Sequence, residues 1–142
     1  MSRQHAEQIA TFFETLSRES LTRLDSIYAH DARFKDPFND VLGVPAIARI
    51  FSHMFDKLDS PAFSVGARIV DGDQLMLGWV FSFRRGDRTI EIRGVTHMIL
   101  DGDGRISLHR DYWDAAEELY SKLPLVGAPI RWLASRLSAS GR

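Results

Sequence analysis

From Ala62 onward the apolar residues of this chain fall into a period of two. Short Asp/Gly turns interrupt the run at Asp71-Gly72-Asp73, Arg85-Gly86-Asp87 and Asp101-Gly102-Asp103-Gly104. Alternation of this kind places every second side chain on one buried face, which is the signature of strands rather than helices. The expected strands are Phe63–Val70, Gln74–Arg85, Thr89–Leu100 and Arg105–Trp113. Loops this short join neighbours that run in opposite directions, so the last three strands are expected to form an antiparallel meander.

The first third has a different period. Ile9, Phe12, Phe13 and Leu16 recur at helical spacing, as do Leu21, Leu24, Ile27 and Tyr28, with Ser20 as the expected cap of the second helix. Asp31 to Lys35 reads as a short strand stopped by Asp36-Pro37. Gly43-Val44-Pro45 opens a third helix with Ile47, Ile50, Phe51, Met54 and Phe55 on its apolar stripe. After the strands, Asp114 followed by Glu117 fits a helix start, with an acceptor at the cap and a carboxylate three residues on. Pro124, Gly127 and Pro129 interrupt that helix. Ile130 to Leu137 forms a last amphipathic one, with Arg131 and Arg136 on its polar side, suited to a pocket lid or dimer contact. The layout is α+β: a curved antiparallel sheet packed on N-terminal helices, one domain over 1–142 with a C-terminal helical extension from about 125. Twisted strands curling around helices can leave a cavity between the layers.

Composition narrows the function. A formal net charge of -1 gives no basic excess for nucleic acid, and no cysteine is present for disulfides or thiolate metal sites. The start, Met-Ser-Arg-Gln-His-Ala-Glu, has no apolar signal core, and no apolar run reaches the roughly 18 residues a membrane span needs. A cytoplasmic protein is expected. Asp101-Gly102-Asp103-Gly104 resembles the opening of a calcium loop, but the twelfth position is Tyr112 rather than Glu, so a turn is expected. No metal and no cofactor is expected.

Strand arithmetic then brings side chains together. Pairing Arg85 with Arg88 puts Phe81 opposite Ile92 and Trp79 opposite Gly94. Pairing Leu100 with Arg105 puts Thr96 opposite His109 and Gly94 opposite Asp111, with Gly94 leaving room there for a ligand or water. One face then carries Leu77, Trp79, Phe81, Ile92, Gly94, Thr96, Met98, His109, Asp111 and Trp113. The opposite face, with Arg84, Glu91, Arg93, Val95, His97, Arg110 and Tyr112, is mixed and suits solvent or a subunit contact. His109 and Asp111 stand two apart on one strand and point the same way, so the carboxylate can orient or charge the imidazole. A carboxylate on a core face needs a partner or a function. Asp36, between Phe34 and Phe38, is either turn chemistry or a second carboxylate made basic by apolar surroundings. The expected catalytic set is Asp111, His109 and Asp36. The expected pocket wall is Phe12, Phe34, Trp79, Phe81, Thr96, Met98 and Trp113.

These motifs resemble the nuclear transport factor 2-like superfamily, the cone-shaped α+β fold also described as a cystatin-like roll, and its SnoaL-like members. The resemblance runs from the first helix to about Gly127. In Tyr28-Ala29-His30-Asp31-Ala32-Arg33-Phe34-Lys35-Asp36-Pro37 the chain is similar to ketosteroid isomerases, which implies Asp36 as a general base. The tyrosine and aspartate that hold the enolate in that family fall near Phe12 and on Thr96. Gly104-Arg105-Ile106 through Arg110-Asp111-Tyr112-Trp113-Asp114 resembles limonene epoxide hydrolases and implies Asp111 as a catalytic aspartate. The strand that carries an Arg and a second Asp there corresponds to Leu77-Gly78-Trp79-Val80-Phe81, which has neither. His109 and Asp111 resemble the pocket pair of SnoaL-like polyketide cyclases. The resemblance implies a homodimer with an apolar small-molecule ligand, no nucleic acid and no membrane partner. It implies cofactor-free proton transfer of the isomerase, aldol cyclase or hydratase type. A non-catalytic ligand-binding dimer, an epoxide hydrolase-like enzyme and a dimer with a closed core stand as alternatives.

Overall fold

The computed structural model describes residues 1–120 and 127–137. The chain divides into two units, Met1–Tyr112 and Trp113–Arg142. In the first, α1 (Arg3–Glu14) is followed by a 3-10 turn (Glu19–Arg23), α2 (Leu24–Ile27), β1 (Tyr28–Lys35), β2 (Asp40–Leu42) and α3 (Val44–Lys57). The strands β3 (Asp59–Asp71), β4 (Gln74–Arg85), β5 (Arg88–Leu100) and β6 (Ile106–Tyr112) complete it. One curved six-stranded sheet results, in the order β2-β1-β6-β5-β4-β3.

The α+β layout and the meander are as expected, with two corrections. The sheet is mixed, because β1 runs parallel to β6 while every other neighbour is antiparallel. The second helix is also only a 3-10 turn and a single α-turn. Tyr28 is its extended C-cap residue (φ -102°, ψ 144°) and the first residue of β1. Ser20 does not cap it. Ser17 and Ser20 bond each other's backbone N–H instead, at 3.4 and 3.0 Å.

Two helices pack on the sheet. Ser2 caps α1 by accepting from the His5 N–H at 3.1 Å, and the helix buries Ala6, Ile9, Ala10, Phe12 and Phe13. Arg68 on β3 ties α1 down through Glu7 and Glu14 at 2.9 and 3.3 Å. The Glu7 contact is an ion pair that lacks hydrogen-bond alignment at Nε. Gly43, at φ 92°, turns the chain into α3, where Pro45 costs nothing because first-turn N–H groups have no helical partner. Ile47 and Phe51 are the buried side of α3.

The β4–β5 register matches the expectation, with Trp79 opposite Gly94 and Phe81 opposite Ile92. The β5–β6 register is shifted by two residues. Thr96 faces Asp111 and Met98 faces His109, because Leu100 pairs with Ile106 rather than Arg105 and one extra residue is accommodated in β6 between Ile106 and Leu108. The Asp101 carboxylate closes the preceding turn by accepting from the Asp103 and Arg105 N–H groups at 2.9 and 3.0 Å.

In the second unit Asp114 caps α4 (Ala115–Glu118), accepting from the Glu117 N–H at 3.0 Å. The last helix, α5 (Gly127–Leu137), starts earlier than expected, since Pro129 sits in its tolerant first turn. Trp132, Leu133 and Leu137 are exposed on it. The break at Pro124, and positions 125–126 and 138–142 of the expected extension, lie outside the described residues. No helix among the described residues is long and apolar enough to cross a membrane.

Candidate active site

The inner face of the first unit holds a chain of hydrogen bonds whose direction can be worked out. Trp79 Nε1–H can only donate, and it reaches Thr96 Oγ1 at 2.7 Å. The Thr96 hydroxyl is therefore free to donate onward, to Asp111 Oδ1 at 2.5 Å. At the other end Tyr28 is fully buried. Among the described residues its hydroxyl has one partner, His109 Nδ1, at 2.8 Å. A buried O–H needs an acceptor, so Nδ1 carries the lone pair. The proton of the neutral imidazole then sits on Nε2, which donates to Asp111 Oδ1 at 2.8 Å. Two arms of donors thus converge on one carboxylate oxygen, and Oδ2 has no protein partner among the described residues.

The fold explains how these groups meet. Thr96 and Asp111 are direct cross-strand partners, and His109 lies two residues before Asp111 on the same face. Trp79 faces Gly94, and a Cβ built on Gly94 would clash with its ring, 2.6 Å from Cζ2 and 2.9 Å from Cζ3. The missing side chain lets the indole lie across β5 and reach Thr96. Gly94 therefore makes room for Trp79, not for a ligand beside Asp111. Tyr28 is brought in by an irregularity between β1 and β6: Tyr28 pairs with Ile106, yet Arg33 already pairs with Leu108. Phe34, opposite His109 on β6, packs its ring 4.4 Å from the imidazole, with Phe13 at 5.7 Å and Tyr28 at 5.9 Å. Burial, and then the Asp111 charge, raise the Tyr28 hydroxyl well above its ordinary 10.0, so it remains a neutral donor.

A cavity of about 30 Å³ adjoins this chain, bounded by Trp79, Thr96, Met98, His109 and Asp111 together with Phe13, Phe51, Phe63, Val65 and Leu77. That volume is room for roughly one or two waters. The side chains of His109 and Asp111 are 5% and 16% exposed, so Asp111 is the more accessible of the pair.

Five of the expected site residues therefore come together: Trp79, Thr96, Met98, His109 and Asp111. Four others lie elsewhere in the first unit. Phe34 supports His109 without bordering the cavity. Phe12 stacks edge-on with Phe13, and Phe81 packs on Phe63, both in the core. Asp36 stays in the β1–β2 turn. Its Oδ1 accepts from the Phe38 and Asn39 N–H groups at 2.8 and 2.7 Å, and the Asn39 amide bonds it as well. Trp113 belongs to the second unit. Sequence reasoning misses Tyr28, which its spacing assigns to a helix stripe, and the wall residues Phe51, Phe63 and Val65. No cluster of three or more His, Cys, Asp or Glu able to hold a metal occurs among the described residues.

Solved structures show the same fold. TsrD from Streptomyces laurentii superposes with a TM-score of 0.72 at 16% identity, over 84% of this chain and 95% of that one. A hypothetical protein with a ketosteroid isomerase-like fold from Catenulispora acidiphila, in complex with trimethylamine, gives 0.71 at 13%, over 93% and 98%. An LEH-like epoxide hydrolase from M. tuberculosis gives 0.68 at 18%, over 94% and 96%. No curated protein matches the sequence. A family model described as a SnoaL-like domain matches residues 9–109, ending on His109 and two residues short of Asp111. That match spans most of the chain, and the fold and the inward-facing His109 agree with it: the chain belongs to the SnoaL-like domain family.

Proposed function

We propose that this protein is a cofactor-free proton-transfer enzyme acting on a small, mostly apolar molecule, with Asp111 as its base. One observation carries the reading: two donor arms hold Oδ1 of Asp111, a residue that borders an apolar cavity, while Oδ2 has no protein partner among the described residues. A carboxylate fixed in this way is oriented before substrate arrives. In the reaction a substrate C–H proton passes to Oδ2, and the bonding pair stays on the substrate as an enolate. The resulting carboxylic acid returns the proton to another carbon in an isomerisation, or to the new alkoxide in an aldol closure. Both nitrogens of His109 are engaged, so its part is to position Asp111.

The described cavity residues hold no spare hydrogen-bond donor for an enolate or epoxide oxygen. Trp79 N–H, Thr96 O–H and His109 N–H are all committed. The substrate must therefore have a C–H already made acidic by its own neighbours. The same shortage favours the second reading, a binding module without turnover. A homodimer through the outer sheet face, where Val95 and Tyr112 are exposed, belongs to the proposal and is checked by sedimentation.

The test is the conversion of pent-4-en-2-one, the smallest β,γ-enone, to its conjugated isomer, followed by ultraviolet absorbance. Wild-type protein should accelerate it over buffer, and Asp111→Asn should lose about 10²–10⁴-fold of that acceleration. A D111N variant as active as wild type refutes the base. Absence of turnover across small enones and diketones, with ligand still bound, is the outcome of the binding-module reading.

A further inference from the structure

We propose that the ligand of this cavity carries a positive charge: a small alkylammonium ion, paired with Asp111 and enclosed by aromatic rings. The inference rests on the reading above that the Asp111 cavity is the functional site, and it narrows the ligand class.

Three observations point the same way. First, the carboxylate has no permanent counter-cation in its surroundings. None of the described cavity residues is Lys or Arg, and the one cation-capable group on the wall is the His109 imidazole, which bonds Oδ1 and not Oδ2. Arg68 lies three residues from the cavity-lining Val65, but its guanidinium is taken by Glu7, Glu14 and the carbonyls of Val65 and Gly66. The cavity is thus electrically negative, in a partly desolvated place where charge is weakly screened. Second, the remaining wall is rich in rings: Phe13, Phe51, Phe63 and Trp79, with Phe63 and Trp79 edge to face at 5.7 Å. Aromatic rings beside a carboxylate are the surroundings that favour an alkylated ammonium over a neutral molecule of equal shape. Third, no donor is spare to stabilise a carbanion or enolate formed there. A charge carried by the substrate itself meets that need, because an adjacent ammonium stabilises the developing negative charge. The cavity of about 30 Å³ restricts the ligand to a few heavy atoms. A carboxylate-bearing or phosphorylated molecule would face Asp111 with like charge and is disfavoured.

The test uses three probes that share a head of three methyl groups on one centre: trimethylammonium, tert-butyl alcohol and the larger pivalate. Binding to the full chain is read by calorimetry and by chemical-shift titration. Wild-type protein should bind the cation about tenfold tighter than the alcohol, with pivalate weakest. Asp111→Asn, which keeps the shape of the side chain, should bring cation and alcohol to similar affinity. Phe63→Leu keeps an apolar wall and should weaken the cation about threefold while leaving the alcohol unchanged. Circular dichroism checks that both variants fold. The inference is overturned if the alcohol binds as tightly as the cation, if the preference survives in D111N, or if trimethylammonium fails to bind at millimolar concentration. Charge preference with enone turnover equal in wild type and D111N would refute the base and keep this inference. D111N-sensitive turnover without charge preference would do the reverse.

Discussion

Replacing Thr96 by Val is the sharpest probe of the buried hydrogen-bond chain. The two side chains are nearly equal in volume, and valine suits a central strand at least as well, so packing and propensity change little. Thr96, however, is 3% exposed, and its hydroxyl serves two partners. Without it the Trp79 Nε1–H is a buried donor with no acceptor, at a cost of about 1–3 kcal/mol, and Asp111 loses a charge-assisted bond of about 1.5–3 kcal/mol. Asp111 keeps His109 and can recruit cavity water, so the second loss is partly offset. The expected net destabilisation is about 2–4 kcal/mol. For 142 residues that corresponds to a fall in Tm of about 6–15 °C. Urea unfolding of T96V, W79F and the double variant gives the cycle. Removing the indole N–H as well removes the orphaned donor, so the double variant should cost about 1–2 kcal/mol less than the sum of the singles. If T96V lies within about 0.5 kcal/mol of wild type and the singles simply add, Thr96 does not link Trp79 to Asp111 and the donor arm is refuted.

Tyr28→Phe removes the donor that fixes the His109 tautomer, and nitrogen-15 NMR should show a single Nε2–H form in wild type give way to a mixture. The pH sign follows from the raised folded-state pKa. Below about 10 the Tyr28 contribution is complete, above it only the unfolded chain ionises, and stability falls as pH rises further. The Y28F variant should have a flatter alkaline limb in pH-dependent urea unfolding. Gly94→Ala would drive a methyl group into the Trp79 ring; an overpacking cost of about 1–3 kcal/mol is expected, with the indole displaced from Thr96 in a crystal structure. Asp36→Ala should cost about 0.5–2 kcal/mol through loss of the turn acceptors, by analogy with helix caps, and should leave D111-dependent enone turnover unchanged. A tenfold loss of turnover in D36A would restore Asp36 as a second functional carboxylate.

The fold is legible in the sequence wherever the pattern is local. Period-two alternation and the Asp/Gly turns locate β4, β5 and β6 to within a residue or so, because one buried face and a short loop leave little freedom. The strand β2 and the parallel pairing of β1 with β6 are not legible. β2 is three residues long, and the β1–β6 contact joins segments some seventy positions apart with no turn to set their register. Tyr28 is misread for a related reason. An apolar body at helical spacing after Leu24 and Ile27 looks like a helix stripe, and only its pairing with Ile106 shows that the helix has ended.

The candidate site survives an error in register because of the parity of the strand. The expected β5–β6 pairing is wrong by two residues, and a shift of two leaves every side chain on its own face. His109, Asp111, Thr96 and Met98 therefore stay together, while the identity of each partner changes. Gly94 opposite Asp111 would have left the carboxylate open on one side. Thr96 opposite Asp111 gives it a donor, and that donor is supplied from Trp79 by way of the space Gly94 leaves. Two one-residue steps separate these outcomes: Leu100 pairs with Ile106 rather than Arg105, and an extra residue sits between Ile106 and Leu108. The first step follows from how the Asp101 turn closes, through bonds to Asp103 and Arg105 that hydrophobic spacing does not encode. Periodicity thus names the residues of the site. The turn at Asp101 and the bulge after Ile106, both outside the site, fix which of them touch, and with that which oxygen of Asp111 is held.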